Sequence, residues 1–161
     1  ARFGGVDVGE YVRHFIDAQQ RDTCYADIAE IALGQLAWED AARAATPALL
    51  ILDTHLLSNM LWSQCLFGDC PSWLEGELLA RRYDQHLLLD PTGVPWVEDG
   101  QRCQPQLVER QAFHQACRDW LLANGQRFSE LSGDWGQRRQ AALEHVAALL
   151  GSTDQHAGPG H

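Results

Sequence analysis

A parallel α/β sheet with helices on both faces is the fold this sequence predicts, on two observations. Four short, mostly apolar runs alternate with longer stretches of helical periodicity: Val6-Asp7-Val8, Ala48 to Leu52, His86 to Leu89, and Phe128 to Leu131. The third run stops abruptly at Asp90-Pro91, and a run bounded in this way suits a strand covered on both faces. A polar cluster follows each run: Glu10-Tyr11-Val12-Arg13, Asp53-Thr54-His55, the loop Trp96 to Arg102, and Ser132-Gly133-Asp134-Trp135. In open α/β sheets ligands bind at the carboxyl edge, so these clusters mark the site.

Each element has its own signal. The first strand feeds a helix over Glu10 to Gln20, with Val12, Phe15 and Ile16 at helical spacing. Tyr25 to Ala45 reads as a long helix whose periodic face is Ile28, Ile31, Ala32, Gln35, Leu36 and Glu39, stopped by Thr46-Pro47. The second strand ends on Asp53. A helix over His55 to Phe67 is closed by Gly68, and Pro71 opens the next, which runs to about Arg82. Beyond the Pro91 to Cys103 loop, Gln106 to Leu122 is helical, with Asn124-Gly125 as its cap. The last helix spans Trp135 to Leu150, and the polar, glycine-rich tail 151–161 is expected to be disordered. One domain, 1–150, is expected. Trp38, Trp62 and Trp120 lie in helical stretches and read most simply as core.

Composition excludes several classes. A net charge of −10 opposes binding to a nucleic-acid backbone, which needs a basic stripe, but leaves room for a small anion held by local arginines. All cationic side chains are arginines. Without lysine, no complete G-x-x-x-x-G-K-[ST] phosphate loop exists in these residues. Five cysteines (24, 65, 70, 103 and 117) form no C-x-x-C pair, so reduced thiols are expected and zinc is not. No apolar run suits a membrane span or a signal peptide, which makes a soluble, cytoplasmic protein the expectation. The first residues, Ala1 to Gly5, read as the end of a helix and its glycine cap, as though the chain began inside an element.

With these motifs in place, the chain resembles the P-loop kinase domain of the ribosylnicotinamide kinase family, found alone or fused to a nicotinamide-nucleotide adenylyltransferase. The matching residues are Val8 to Arg13 (relatives often have proline at Gly9), Ile51-Leu52-Asp53-Thr54, Phe67-Gly68 with Pro71 and Trp73, and Tyr83-Asp84. They continue through Pro95 to Arg102 with Arg110 and Phe113, and Ser132 to Trp135 with Arg138. The resemblance covers about Arg2 to Leu150, and the tryptophan-to-arginine motif is its most specific part. Relatives begin with a central strand, a phosphate loop with its lysine, and a helix whose tail resembles Ala1 to Gly5. The resemblance therefore implies that the first strand and Walker A loop are missing here. The vacated central place is expected to be empty or distorted, and these residues alone are not expected to transfer phosphate.

The resemblance also implies roles. ATP and magnesium are the expected co-substrate and cofactor, and a small nucleoside, ribosylnicotinamide, the acceptor that becomes nicotinamide mononucleotide in NAD salvage. Asp53 stands where a Walker B acid holds magnesium or takes the proton of the attacking hydroxyl; unaided, it reads as an N-cap. Arg102 and Arg110 sit where a closing loop grips phosphates, or are solvated surface arginines. Trp96 stands to stack on a cationic pyridine ring or to cap the sheet end. Asp99 accepts from ribose hydroxyls or braces Arg102. Glu10, Tyr11 and Arg13 lie where acceptors are recognised, or form an ordinary first helical turn. Gly133 and Asp134 line the adenine side, or form a plain strand-to-helix turn. Among the histidines only His55 is near chemistry, and it replaces the second acid of the family's usual Asp-Thr-Asp.

Three readings follow: a ribosylnicotinamide kinase domain; another P-loop kinase or nucleotidase with a different acceptor, which His55 keeps open; and a non-catalytic ligand-binding remnant. An adenylyltransferase domain, fused or upstream, is the expected partner in the first.

Overall fold

Val6 and Val8 flank Asp7 in β1 (Val6–Val8), which pairs in parallel with β2 (Leu50–Leu52), Val6 opposite Leu50 and Val8 opposite Leu52. The computed structural model describes residues 3–99 and 104–156. Between these strands run α1 (Tyr11–Gln19) and α2 (Ile28–Ala44), the latter entered through one 3-10 turn at Tyr25–Asp27. Ile28, Ile31, Ala32, Gln35, Leu36 and Glu39 are all buried, the recurrence of one face of a 3.6-residue helix. That face packs α2 on β1, β2, α1 and α3 (Leu56–Phe67). Gly68 ends α3 in the left-handed region at φ 72, a conformation glycine adopts without a Cβ penalty. Then α4 (Trp73–Ala80) packs on α3.

An ion-pair cluster ties α2 to the end of α4. Glu39, only 1% exposed, accepts from Arg43 Nε at 2.8 Å and Arg81 Nη1 at 3.2 Å. Arg81 also grips both carboxylate oxygens of Asp40, at 2.7 and 3.1 Å. A buried carboxylate costs several kcal/mol unless its lone pairs are taken up, and two guanidinium groups do so here.

The chain divides by contact into two units, 1–82 and 83–161. The second contains β3 (His86–Leu89), α5 (Leu107–Ala123), β4 (Phe128–Leu131) and α6 (Trp135–His156). Strands β3 and β4 are parallel, His86 opposite Phe128 and Leu89 opposite Leu131. Helix α5 packs on β3 and α6 on β4. Cys117 in α5 is buried, which pushes its thiol up to about 12.

The fold is thus mixed α/β, with short parallel strands and six α-helices among the described residues. The described strands form two parallel pairs, β1-β2 and β3-β4, with no ladder joining one pair to the other. Three expectations need correction. The strand faces are less covered than the apolar runs suggest, with Ile51 47% and Leu89 50% exposed. Helix α6 continues to His156 rather than stopping at Leu150, because Gly151 carries no left-handed φ to end it. Finally, Trp38 is not core: it is 38% exposed, and its ring meets Tyr11 edge-on, while Trp62 and Trp120 are half-buried.

Candidate functional site

At the carboxyl end of the β1-β2 pair, Asp53 N donates to Val8 O at 2.8 Å, which sets Asp53 beside the start of the β1–α1 turn. The Asp53 carboxylate is exposed and makes no hydrogen bond or ion pair with another described residue. It is not the cap of α3. His55 occupies that position with extended backbone, and no side-chain capping bond forms there. Thr54 between them has φ 72. A β-branched residue in the left-handed region is a true outlier, and such strain concentrates at functional sites.

Across the strand pair, Glu10 begins α1 with extended backbone and also makes no capping bond. Its carboxylate lies 2.5 Å from Arg13 Nε instead, an i,i+3 ion pair at the start of α1. The Tyr11 ring lies against Gly34 of α2 and edge-on to Trp38, with centroids 4.9 Å apart, and His14 completes the cluster. A Cβ at Gly34 would overlap that ring, so the close approach requires glycine. Glu10, Tyr11, Arg13 and Asp53 therefore share one edge of one strand pair, as the sequence predicts.

The second unit holds the remaining candidates. Arg110, half-buried, donates through Nη1 to Pro105 O at 2.9 Å and Gln104 O at 3.4 Å, fixing the entry to α5. Trp96 is half-buried and Asp99 exposed; Arg102, with Gly100, Gln101 and Cys103, lies outside the described residues. Gly133 has φ 92, and a Cβ there would overlap Gln137 Oε1. Asp134 forms a reciprocal cap with Gln137: Gln137 N donates to Asp134 Oδ1 and Asp134 N to Gln137 Oε1, both at 2.9 Å. The carboxylate singled out for the nucleotide is thus engaged in starting α6.

Two side chains that build these turns escaped the sequence reading as site residues. Gln35, 2% exposed on α2, accepts from Tyr11 N at 2.8 Å and donates to Gly9 O at 3.2 Å. Arg138, 3% exposed, donates to Gly133 O at 2.7 Å, to Thr92 O at 3.0 Å and to Asp90 O, joining the carboxyl ends of β3 and β4. Its guanidinium also lies 6.0 Å from the Trp135 ring centroid. The signal for Arg138 was its place four residues after Asp134; for Gln35 it was an amide on an otherwise apolar helix face.

Among the described residues no group of three or more histidine, cysteine or acidic side chains could hold a metal ion. A lone free carboxylate still fits one divalent ion: magnesium is ordinarily bound by one or two carboxylates with water and substrate phosphates completing its shell. Asp53 is such a carboxylate. No described helix is long and apolar enough to cross a membrane.

Residues 1–138 match the AAA domain family, and the chain belongs to that family of P-loop nucleotide-binding domains. It is also similar to the trifunctional NAD biosynthesis/regulator protein NadR of Salmonella typhimurium, strain LT2. The two are 24% identical over 143 residues, which is 88% of this chain and 35% of that protein. The chain thus spans about a third of the relative's length.

Proposed function

We propose that this chain is part of a nucleoside kinase that transfers the γ-phosphoryl group of ATP to ribosylnicotinamide, giving nicotinamide mononucleotide and ADP. The observation that carries the reading is the free Asp53 carboxylate at the carboxyl end of β2, beside the Glu10–Arg13 pair that follows β1. In the reaction the nucleoside hydroxyl oxygen bonds to the γ-phosphorus, the bond to the β,γ-bridging oxygen breaks, ADP leaves and the hydroxyl proton is released. Phosphoryl transfer asks the protein mostly for positioning and charge neutralisation. Magnesium, when bound, supplies part of that neutralisation. Asp53 is the residue that would hold it, with phosphate oxygens completing the shell. Glu10 and Arg13 offer an acceptor and a donor for hydroxyls of the nucleoside. The family resemblance assigns Trp96 to stack on the pyridinium ring, Asp99 to take ribose hydroxyls, and Arg102 and Arg110 to hold the phosphates. It assigns Gly133 and Asp134 to the adenine side. An adenylyltransferase domain elsewhere in the full-length protein would consume the product; the similarity to NadR, whose name includes NAD biosynthesis, supports this.

His55, standing where the resembled family usually has an acid, keeps open a second reading, a kinase of the same scaffold with another acceptor. The test is a panel of nucleosides offered to the full-length protein with ATP and magnesium, with products identified by mass. Nicotinamide mononucleotide, formed far faster than any other nucleotide, is the expected result. Preferential transfer to a different nucleoside would establish the second reading, and no transfer to any nucleoside would defeat both.

A further inference from the structure

We infer that Gln35 is a positioning residue for acceptor recognition, holding the β1–α1 turn that presents the Glu10–Arg13 pair to the nucleoside; the inference rests on the kinase reading above. The first amides of a helix need acceptors, and the residue at the cap position usually supplies one from its own side chain. Glu10 stands at that position in α1 and supplies none. The first amide of the helix, Tyr11 N, lies outside the reach of a cap side chain and is taken by Gln35 Oε1 at 2.8 Å, from a helix 24 residues further along the chain. The other end of the same amide group donates to Gly9 O at 3.2 Å. Gln35 therefore clamps the residues on both sides of Glu10.

This arrangement has a cost that a purely structural residue could avoid. Gln35 is 2% exposed amid an apolar helix face, and a buried amide is tolerable only with both its ends bonded. Leucine at the same point would fill the space without that demand. What the amide provides is two fixed backbone points, one on each side of the residue whose carboxylate meets Arg13 at 2.5 Å. Close packing of the Tyr11 ring on Gly34, the neighbour of Gln35, holds the same turn from a second direction.

The test uses full-length protein with Gln35→Leu and Gln35→Glu. Gln35→Leu is expected to raise the nucleoside KM on the order of tenfold, with ATP KM and kcat changed by less than about twofold, since displacing a binding turn weakens ground state and transition state alike. Gln35→Glu at pH 8 should behave similarly, because a charged carboxylate accepts from Tyr11 N but cannot donate to Gly9 O. As pH falls, the introduced carboxyl, which burial makes easier to protonate, regains the donor. Its nucleoside KM relative to the parent at each pH should then recover. An unchanged nucleoside KM in both variants, or a deficit in Gln35→Glu that does not depend on pH, would overturn the inference. Hydrogen exchange at the Tyr11 amide gives a readout apart from activity. Faster exchange in Gln35→Leu, with the α2 amides unchanged, is expected, and unaltered exchange also overturns the proposal. Failure of the parent to phosphorylate any nucleoside removes the kinase reading and the substrate named here, while the exchange result still decides whether Gln35 holds the turn.

Discussion

Aspartate at the end of a strand and just ahead of a helix has two physical uses, and Asp53 separates them. As a cap it would accept from the first amides of α3; but His55 holds the cap position, and the Asp53 carboxylate has no partner among the described residues. A carboxylate without a described partner, just before a strained Thr54, contributes little to the fold, so its removal is expected to leave stability nearly unchanged. Asp53→Asn in the full-length protein should retain the parent unfolding midpoint. At saturating magnesium it should lose turnover on the order of a hundredfold or more, because an amide is a poor ligand for the ion and the lost charge stabilisation amounts to several kcal/mol. Near-normal turnover in that variant would return Asp53 to a structural role. Asp134 makes the opposite case: its carboxylate is committed to the Gln137 amide, so an effect of its removal would be read first as damage to α6.

Glycine inside a helix ordinarily costs about 1 kcal/mol relative to alanine, so Gly→Ala in α2 would usually stabilise. At Gly34 the sign is expected to reverse, because the added Cβ overlaps Cε1, Cζ and Cδ1 of Tyr11. The ring is wedged against Trp38 and cannot withdraw without moving the start of α1. Gly34→Ala should therefore lower the unfolding free energy by roughly 1–3 kcal/mol, the usual cost of overpacking, which denaturant titration would measure. A more stable variant would show that the α1–α2 contact is looser than described. The same pair of helices shows what could be read from the sequence. The α2 face was legible to the residue because burial follows a 3.6-residue period, and β3 and β4 were legible because turn residues bound them sharply. The glycine contact with Tyr11 was not legible, nor were the bonds from Gln35 and Arg138, which join residues 24 to 48 positions apart. Local pattern fixes which residues turn inward, while such bonds depend on which elements meet. Of the site, the sequence showed that Glu10 to Arg13 and Asp53 follow two strands. It gave no role to Gln35 or Arg138, the two side chains that hold the turns, since an isolated buried polar residue reads as part of a helix face.

At the scale of the molecule, the response to acid should come in two stages. His86 in β3 is pushed below its ordinary 6.5 by burial, only partly offset by its ring nitrogen bonding Arg127 O at 3.1 Å. The fold therefore prefers the neutral ring. The unfolded chain binds this proton first as pH falls through 6.5, so stability is complete above that value and declines below it, until the folded form is protonated too. The carboxylates act later and in the same direction. The Arg21 guanidinium holds Asp27 well below the usual carboxylate range. Arg81 lowers Asp40, and the Thr92 amide, at 2.8 Å, lowers Asp90. Each of these contributes stability above its unfolded value near 3.8 and loses it as pH falls below that. Unfolding midpoints from pH 8 to pH 3 should thus be level at first, slope downward below about 6.5 and steepen below about 4. One proton limits the first slope to about 1.4 kcal/mol per pH unit. His86→Gln keeps a donor for Arg127 O and removes the titrating ring, so it should flatten the upper stage and leave the lower one in place. Amide exchange in β3 and β4 would locate the change. If the decline between pH 7 and 5 persists undiminished in His86→Gln, another group carries it and burial of this ring does not govern the acid response.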